Sequence, residues 1–327
     1  MSAPVQAAWA VASALAFSLM SAAIKLGFAH YGLFELVFWR NVLGAAAVGA
    51  WALSSGRRLS TPHWPMHLRR SGAGSASMVL WFLALAYLPL PTATTLGNTS
   101  PLFAALAIAV AARLHGSADD GTRGRLYAAS ACGFAGVLIA LGPTLDGATL
   151  AGFAAGLGSG MLATVVYFEM RTLGRAGEPS WRVVFWFSTV AAAVGLAGLL
   201  GTEGFSSHTW TGVGWLAAIA VTALVGQLCM TRAFAGPATL LAANLQYTSI
   251  GFAAVIAALA FDDTLSAREL LGIVVIAASG AVATRISARA GAAGAPAPSS
   301  LPSSAPSPAP SPAPSPARSP PRRPESA

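Results

Sequence analysis

Charge is what this chain has least of. Only 9% of its 327 residues are Asp, Glu, Lys or Arg, against about 25% in an ordinary soluble domain, while 55% belong to the hydrophobic set. That balance argues against a soluble fold. Lysine is nearly absent: Lys25 stands alone, and arginine carries the remaining basic charge. The two cysteines, Cys132 and Cys229, each lie inside an apolar stretch, where a small buried hydrophobe is the default and a disulfide is not expected. The five histidines all fall between apolar stretches. His63 and His67 have i, i+4 spacing, but Pro65 between them works against a helical metal pair. There is no Walker loop, nucleophile elbow or paired-carboxylate motif in a helical context. No catalytic residue, metal or cofactor is therefore assigned, and an enzyme is not expected. The net charge of +8 sits in short clusters without aromatic interleaving, so nucleic acid is not an expected partner.

What the chain has instead is long apolar stretches. They run over 5–28, 33–53, 72–90, 92–112, 126–142, 150–170, 182–201, 212–234, 238–260 and 269–286. Each is about the length that crosses ~30 Å of hydrocarbon. The first lacks the charged leader and cleavage site of a secretory signal and reads as a retained helix. With Met1 on the cytoplasmic side, the gaps and tail on that side hold Arg57, Arg58, Arg69, Arg70, Arg113, Arg123, Arg125, Arg171, Arg175, Arg182, Arg232, Arg285, Arg289, Arg318, Arg322 and Arg323. The opposite side receives only Lys25 and Arg268. This asymmetry predicts ten transmembrane helices in the lipid bilayer with both termini cytoplasmic. Richness in Ala, Gly and Arg suits a GC-rich bacterial genome, and the expected location is the inner (plasma) membrane.

From Gly291 onward the sequence is a Pro, Ala and Ser repeat holding twelve of the twenty-one prolines. It has no apolar periodicity and is expected to be a disordered, partly polyproline-II tail. The membrane part carries an internal repeat. Val37, Phe38, Trp39 and Arg40 match Val184, Phe185, Trp186 and Phe187; Thr99 and Ser100 match Thr248 and Ser249; Leu126 and Gly136 match Leu270 and Gly280. The collinear order points to a duplication of five helices, with units at 1–142 and 143–290 and the tail at 291–327. Five is odd, so the second unit runs upside down relative to the first, the inverted-repeat plan of many secondary transporters. The fold class expected is all-α, with two inverted five-helix repeats and a substrate site near the midplane.

At this level the chain resembles the drug/metabolite transporter superfamily, specifically the EamA-type exporters built from two five-helix repeats. The resemblance rests on Phe38, Trp39 and Arg40, on the run from Ala84 to Ala105, on the run from Arg232 to Ala254, and on the turn from Asp262 to Ser266. It covers about residues 5–286 and implies a general role without a substrate. Two departures stand out: Ile250 replaces the proline common at the second-half counterpart of Pro101, and Asp263 replaces the usual Glu after the ninth span. In the first half Arg113 stands where an acidic residue would follow the fourth span. These departures count against symmetrical kinks and symmetrical acidic gates.

Thr95, Asn98 and Thr99 have i, i+3, i+4 spacing and predict one polar helix face; Asn244, Tyr247 and Thr248 are their counterparts. Pro101 frees the carbonyl of Gly97 beside Asn98. Such groups either line a substrate cavity or hold helices together. Gln227 and Gln246 are amides too costly to face lipid unpaired, and Trp81 and Tyr167 offer an aromatic wall. Trp39, Trp186, Trp181 and Trp215 read as belt or packing residues. Arg40 lies about 10 Å inside its span, where it snorkels, pairs or contacts substrate; Glu35 is its nearest partner on the same helix. Glu169 and Glu35 are the carboxylates placed to carry a proton, with Arg171 and Arg175 as alternative ion-pair partners for Glu169.

The function expected is a secondary transporter that moves a small organic metabolite or drug by alternating access, outward. A channel-like or structural membrane protein is the alternative, followed by a membrane-embedded enzyme. Proton coupling and a homodimer are further partner expectations.

Overall fold

The structure is a computed structural model that describes residues 3–115, 120–141, 147–202, 204–235, 242, 245–261 and 266–293. Among the described residues the regular structure is all helical. Eleven helices follow in order: α1 (Ala3–Gly27), α2 (Leu33–Ser54), α3 (Trp64–Tyr87), α4 (Leu90–Gly97), α5 (Ser100–His115), α6 (Asp120–Leu141), α7 (Gly147–Arg175), α8 (Ser180–Thr202), α9 (Trp210–Ala235), α10 (Thr248–Ala260) and α11 (Ala267–Ala293). Five of them, α1, α2, α7, α8 and α9, are long and apolar enough to cross a membrane.

Three boundaries correct the sequence reading. The fourth apolar stretch is two helices, because the chain turns at Asn98 and Thr99 between α4 and α5. Pro101 therefore stands in the first turn of a new helix, where its missing N–H costs nothing, instead of kinking a continuous one. The expectation of an asymmetric kink also fails. A turn at Gln246 and Tyr247 precedes α10 although Ile250 is no proline. Both turns close the same way: the Thr99 hydroxyl donates to the carbonyl of Leu96 at 2.6 Å, and the Thr248 hydroxyl donates to that of Leu245 at 2.6 Å. The third correction is α3, which begins at Trp64, about two turns before the apolar stretch at 72. It draws Arg69 and Arg70 from a supposed loop into a helix. At the far end α11 runs to Ala293, past the expected start of the tail at 291; the rest of the tail lies outside the described residues.

The helices pack most extensively as α3 on α7, α1 on α9, α2 on α8 and α6 on α11. Without a hydrophobic gain from leaving lipid, such contacts depend on close approach at small residues. Gly195 of α8 illustrates this: a Cβ there would stand 2.7 Å from the backbone nitrogen of Phe38. Along α7, Gly152, Gly156 and Gly160 seat Leu88, Leu96 and Thr99 respectively, which is how the broken segment α4–α5 is held.

Loops meet at two opposite ends. At one, Arg182 Nη2 donates to the carbonyl of Arg58 at 3.0 Å and the indole of Trp186 to that of Leu59 at 3.0 Å. Glu178 accepts from the Thr61 hydroxyl and from Arg182 Nη1 at 3.0 Å there. At the other, the backbone N–H of Ser206 donates to Glu35 Oε2 at 3.1 Å, and His208 packs edge-on against Tyr31 and Trp39. Trp181 packs edge-on against Trp51, and Trp215 packs on the core.

Candidate functional site

The two helix turns meet in the interior. Asn98 Nδ2 donates to Ser249 Oγ at 2.9 Å and to the carbonyl of Thr94 at 2.8 Å. Beside this contact lies a cavity of about 160 Å³ to which α1, α2, α3, α4, α7, α8, α9 and α10 all contribute.

Among the residues expected to bind substrate, Asn98, Trp81, Tyr167, Gln227, Gln246 and Arg40 line this cavity. The one-face expectation for Thr95, Asn98 and Thr99 does not hold, because the helix ends between them. Thr95 is buried and bonds back to the carbonyl of Pro91 at 2.7 Å, and Thr99 turns toward Gly160 of α7. Thr248 bonds within its own turn, and Tyr247 packs over Gly280 of α11. Thr95 and Thr248 thus bond within their own segments, whereas Thr99 and Tyr247 pack against neighbouring helices. Asn244 lies outside the described residues.

Trp81 and Tyr167 both face the cavity. Trp81 covers Gly97, where a Cβ would stand 3.1 Å from the indole, and Tyr167 stacks face to face on Phe234 at 4.4 Å with 3° between the rings. Amides and hydroxyls complete the lining. Gln246 Nε2 donates to Ser13 Oγ at 3.2 Å, Ser18 Oγ donates to the carbonyl of Ser249 at 3.1 Å, and Ser77 Oγ donates to the carbonyl of Ser159 at 2.9 Å.

The two candidate proton carriers stand elsewhere. Glu35 is buried but accepts from Ser206 and, at 3.4 Å, from the indole of Trp39, not from Arg40. Glu169 pairs with Arg69 at 2.8 Å instead of Arg171 or Arg175. Neither lines the cavity.

Arg40 does line it, and so does a second arginine that the sequence reading placed in a loop. Arg69 and Arg70 are neighbours in sequence, but each residue turns the helix by about 100°. Arg69 accordingly points outward with its side chain 59% exposed, whereas Arg70 is 0% exposed and points inward. Arg70 Nη2 donates to Gln227 Oε1 at 3.2 Å, and its guanidinium lies over the ring of Phe187 at 3.9 Å from the centroid. The Arg40 guanidinium approaches the same ring at 6.0 Å. Its own contacts are to Asn41 Oδ1 at 3.1 Å and to the thioethers of Met78 at 2.6 Å and Met20 at 3.3 Å.

The family described as EamA-like transporter family matches residues 5–113, which span α1 to α5. The pseudopaline exporter CntI of Pseudomonas aeruginosa (strain UCBPP-PA14) is 29% identical over 245 residues, covering 74% of this chain and 83% of that protein. The chain is a transporter similar to those of the EamA-like family. An uncharacterized transporter of Helicobacter pylori (strain J99) is 24% identical to this transporter over 287 residues, covering 81% of the chain and 90% of that protein. A solved crystal structure shares the fold, with a TM-score of 0.57 at 19% identity over 85% of this chain and 98% of that one. The transporter is thus a multi-pass membrane protein whose substrate is a small molecule.

Proposed function

We propose that the transporter exports a small organic metabolite by alternating access, with the interior cavity as its substrate site. The observation that carries the proposal is the cavity's position, where the turn between α4 and α5 meets the turn before α10 through Asn98 and Ser249. Broken helices at a shared interface expose backbone and amide groups to a solute at a depth where lipid cannot supply partners. The outward direction follows the named function of the Pseudomonas relative, which is an exporter.

The proposed architecture is two inverted repeats, residues 1–142 and 143–290, in the inner membrane with both termini cytoplasmic. Its support is the way contacts pair. The packing of α3 on α7 has its counterpart in α9 on α1, that of α3 on α8 in α9 on α2, and that of α5 on α7 in α10 on α1. The matching hydroxyl bonds of Thr99 and Thr248 support it further. Orientation is supported by the arginine asymmetry of the gaps, and by the meeting of the gap after α2 with the gap after α7, both assigned to the cytoplasmic side.

Solute-specific counterflow in proteoliposomes tests this function. Uptake of a labelled solute that is saturable and accelerated by unlabelled solute on the other side is expected. Non-saturable flux without acceleration identifies a channel.

A further inference from the structure

We infer that the transported solute is an organic anion, and that Arg40 and Arg70 together bind its carboxylate or phosphate group. The inference deepens the proposed function and rests on the cavity being the substrate site.

Both arginines are buried, 4% and 0% exposed, and both open onto the cavity. Guanidinium groups stay protonated in proteins, so the site holds two positive charges. Among the described residues neither is within ion-pair distance of a carboxylate. What they touch is neutral: Arg40 has two thioethers, which are weak acceptors, and one amide oxygen; Arg70 has one amide oxygen and the face of Phe187. Among the described residues Arg70 Nε and Nη1 have no hydrogen-bond partner. Buried charge is ordinarily paired, because its desolvation is otherwise unrepaid.

Two cations facing one ring within 6.0 Å also repel each other. Helix packing alone would be better served by apolar side chains at both positions. A bound oxyanion removes both penalties together. Guanidinium forks match carboxylate and phosphate oxygens in geometry, and the unpartnered Nε and Nη1 of Arg70 supply donors for one.

The rest of the lining selects the body of the solute. Ser18, Ser77, Asn98 and Gln246 offer hydroxyl and amide contacts, Trp81 and Tyr167 an aromatic wall, and among the described residues none of the lining is acidic. A cation meets only like charge here. Phe187 stands in the second half where Arg40 stands in the first, so both charges come from one half of the molecule and the solute binds in one orientation.

The test combines transport with binding on the purified full chain. Proteoliposomes are assayed by counterflow with a labelled panel of succinate, citrate, glycerol 3-phosphate, choline and glucose. Thermal unfolding of the detergent-solubilised protein is followed with the same compounds at constant chloride. Anionic panel members are expected to exchange and to raise the unfolding temperature. Arg40→Gln and Arg70→Gln are each expected to abolish that rise, with at least tenfold weaker exchange, while leaving the ligand-free unfolding temperature unchanged or higher. Arg69→Gln, the exposed neighbour, is expected to keep both.

A ligand-free protein destabilised by either glutamine variant gives the arginines a structural role and overturns the inference. Saturable exchange of choline or glucose but of no anion also overturns it and leaves the transporter reading intact. Arginine-dependent stabilisation by anions with no exchange of any compound upholds the binding site and overturns the transport function.

Discussion

Asn98 and Ser249 are joined at 2.9 Å across the two halves of the chain, one at the turn between α4 and α5 and the other just after the turn that precedes α10. The bond places an amide at the cavity wall and ties α4 to α10. Asn98→Ala and Ser249→Ala should each lower exchange by about tenfold, the equivalent of one lost hydrogen bond at roughly 1.4 kcal/mol. Because both remove the same bond, the double variant should be little worse than either single one. A double-mutant cycle on counterflow rates and unfolding temperature checks this; additive losses would show that the two residues act separately.

Gly160 decides how closely α7 holds the broken helix. A Cβ at this position would meet the Thr99 hydroxyl and stand 2.8 Å from the carbonyl oxygen of Leu96. Gly160→Ala should destabilise the protein by about 1–3 kcal/mol. Gly72→Ala, where nothing lies within 4 Å, should not. Thermal unfolding of the two variants side by side is the check.

Glu169 is one of the two carboxylates, with Glu35, expected to carry a proton. Its carboxylate instead pairs with Arg69, whose side chain is 59% exposed, at a helix end away from the cavity. With the Arg69 partner in solvent and the Glu169 side chain 15% exposed, the pair is worth about 1 kcal/mol. Glu169→Gln should therefore unfold near the wild-type temperature and respond to an imposed pH gradient as the wild type does. Loss of that response in proteoliposomes would return Glu169 to the transport cycle.

The junction of loops around Glu178 should be acid-sensitive. Burial alone would raise the pKa of this carboxyl, but hydrogen bonds from Thr61 and Arg182 outweigh it and hold the group below its ordinary 4.5. Its charged form is favoured by folding, so its stabilising contribution is complete above that value. The contribution is lost as pH falls through the lower folded-state value. Unfolding temperatures measured from neutral pH down to acid should fall more steeply for the wild type than for Glu178→Gln. Parallel curves would place the acid sensitivity elsewhere.

Much of the all-helical fold was legible because lipid imposes a simple rule, the long apolar run. Asn98, Gln227 and Gln246 were legible for the same reason, since a polar amide in hydrocarbon needs company. What the sequence hid was direction around and along a helix. Thr95, Asn98 and Thr99 share a face only while the helix is continuous, and its end at Gly97 sends them three ways.

Pro101 marked one break, but the second forms at Gln246 and Tyr247 without a proline, through hydroxyl bonds that any Thr could make in principle. Arg70 was the largest omission. Two adjacent arginines before an apolar run read as a loop, and only a helix that starts at Trp64 turns one of them outward and the other into the cavity.

Counterflow across proteoliposomes is the most direct measurement of whether the cavity serves an alternating carrier. With labelled anionic, neutral and cationic compounds tested in turn, at least one should enter solute-loaded vesicles saturably and faster than it enters empty ones, and Asn98→Ala should reduce that rate. Flux that rises linearly with concentration and ignores the solute inside, or exchange unchanged in Asn98→Ala, would contradict the account.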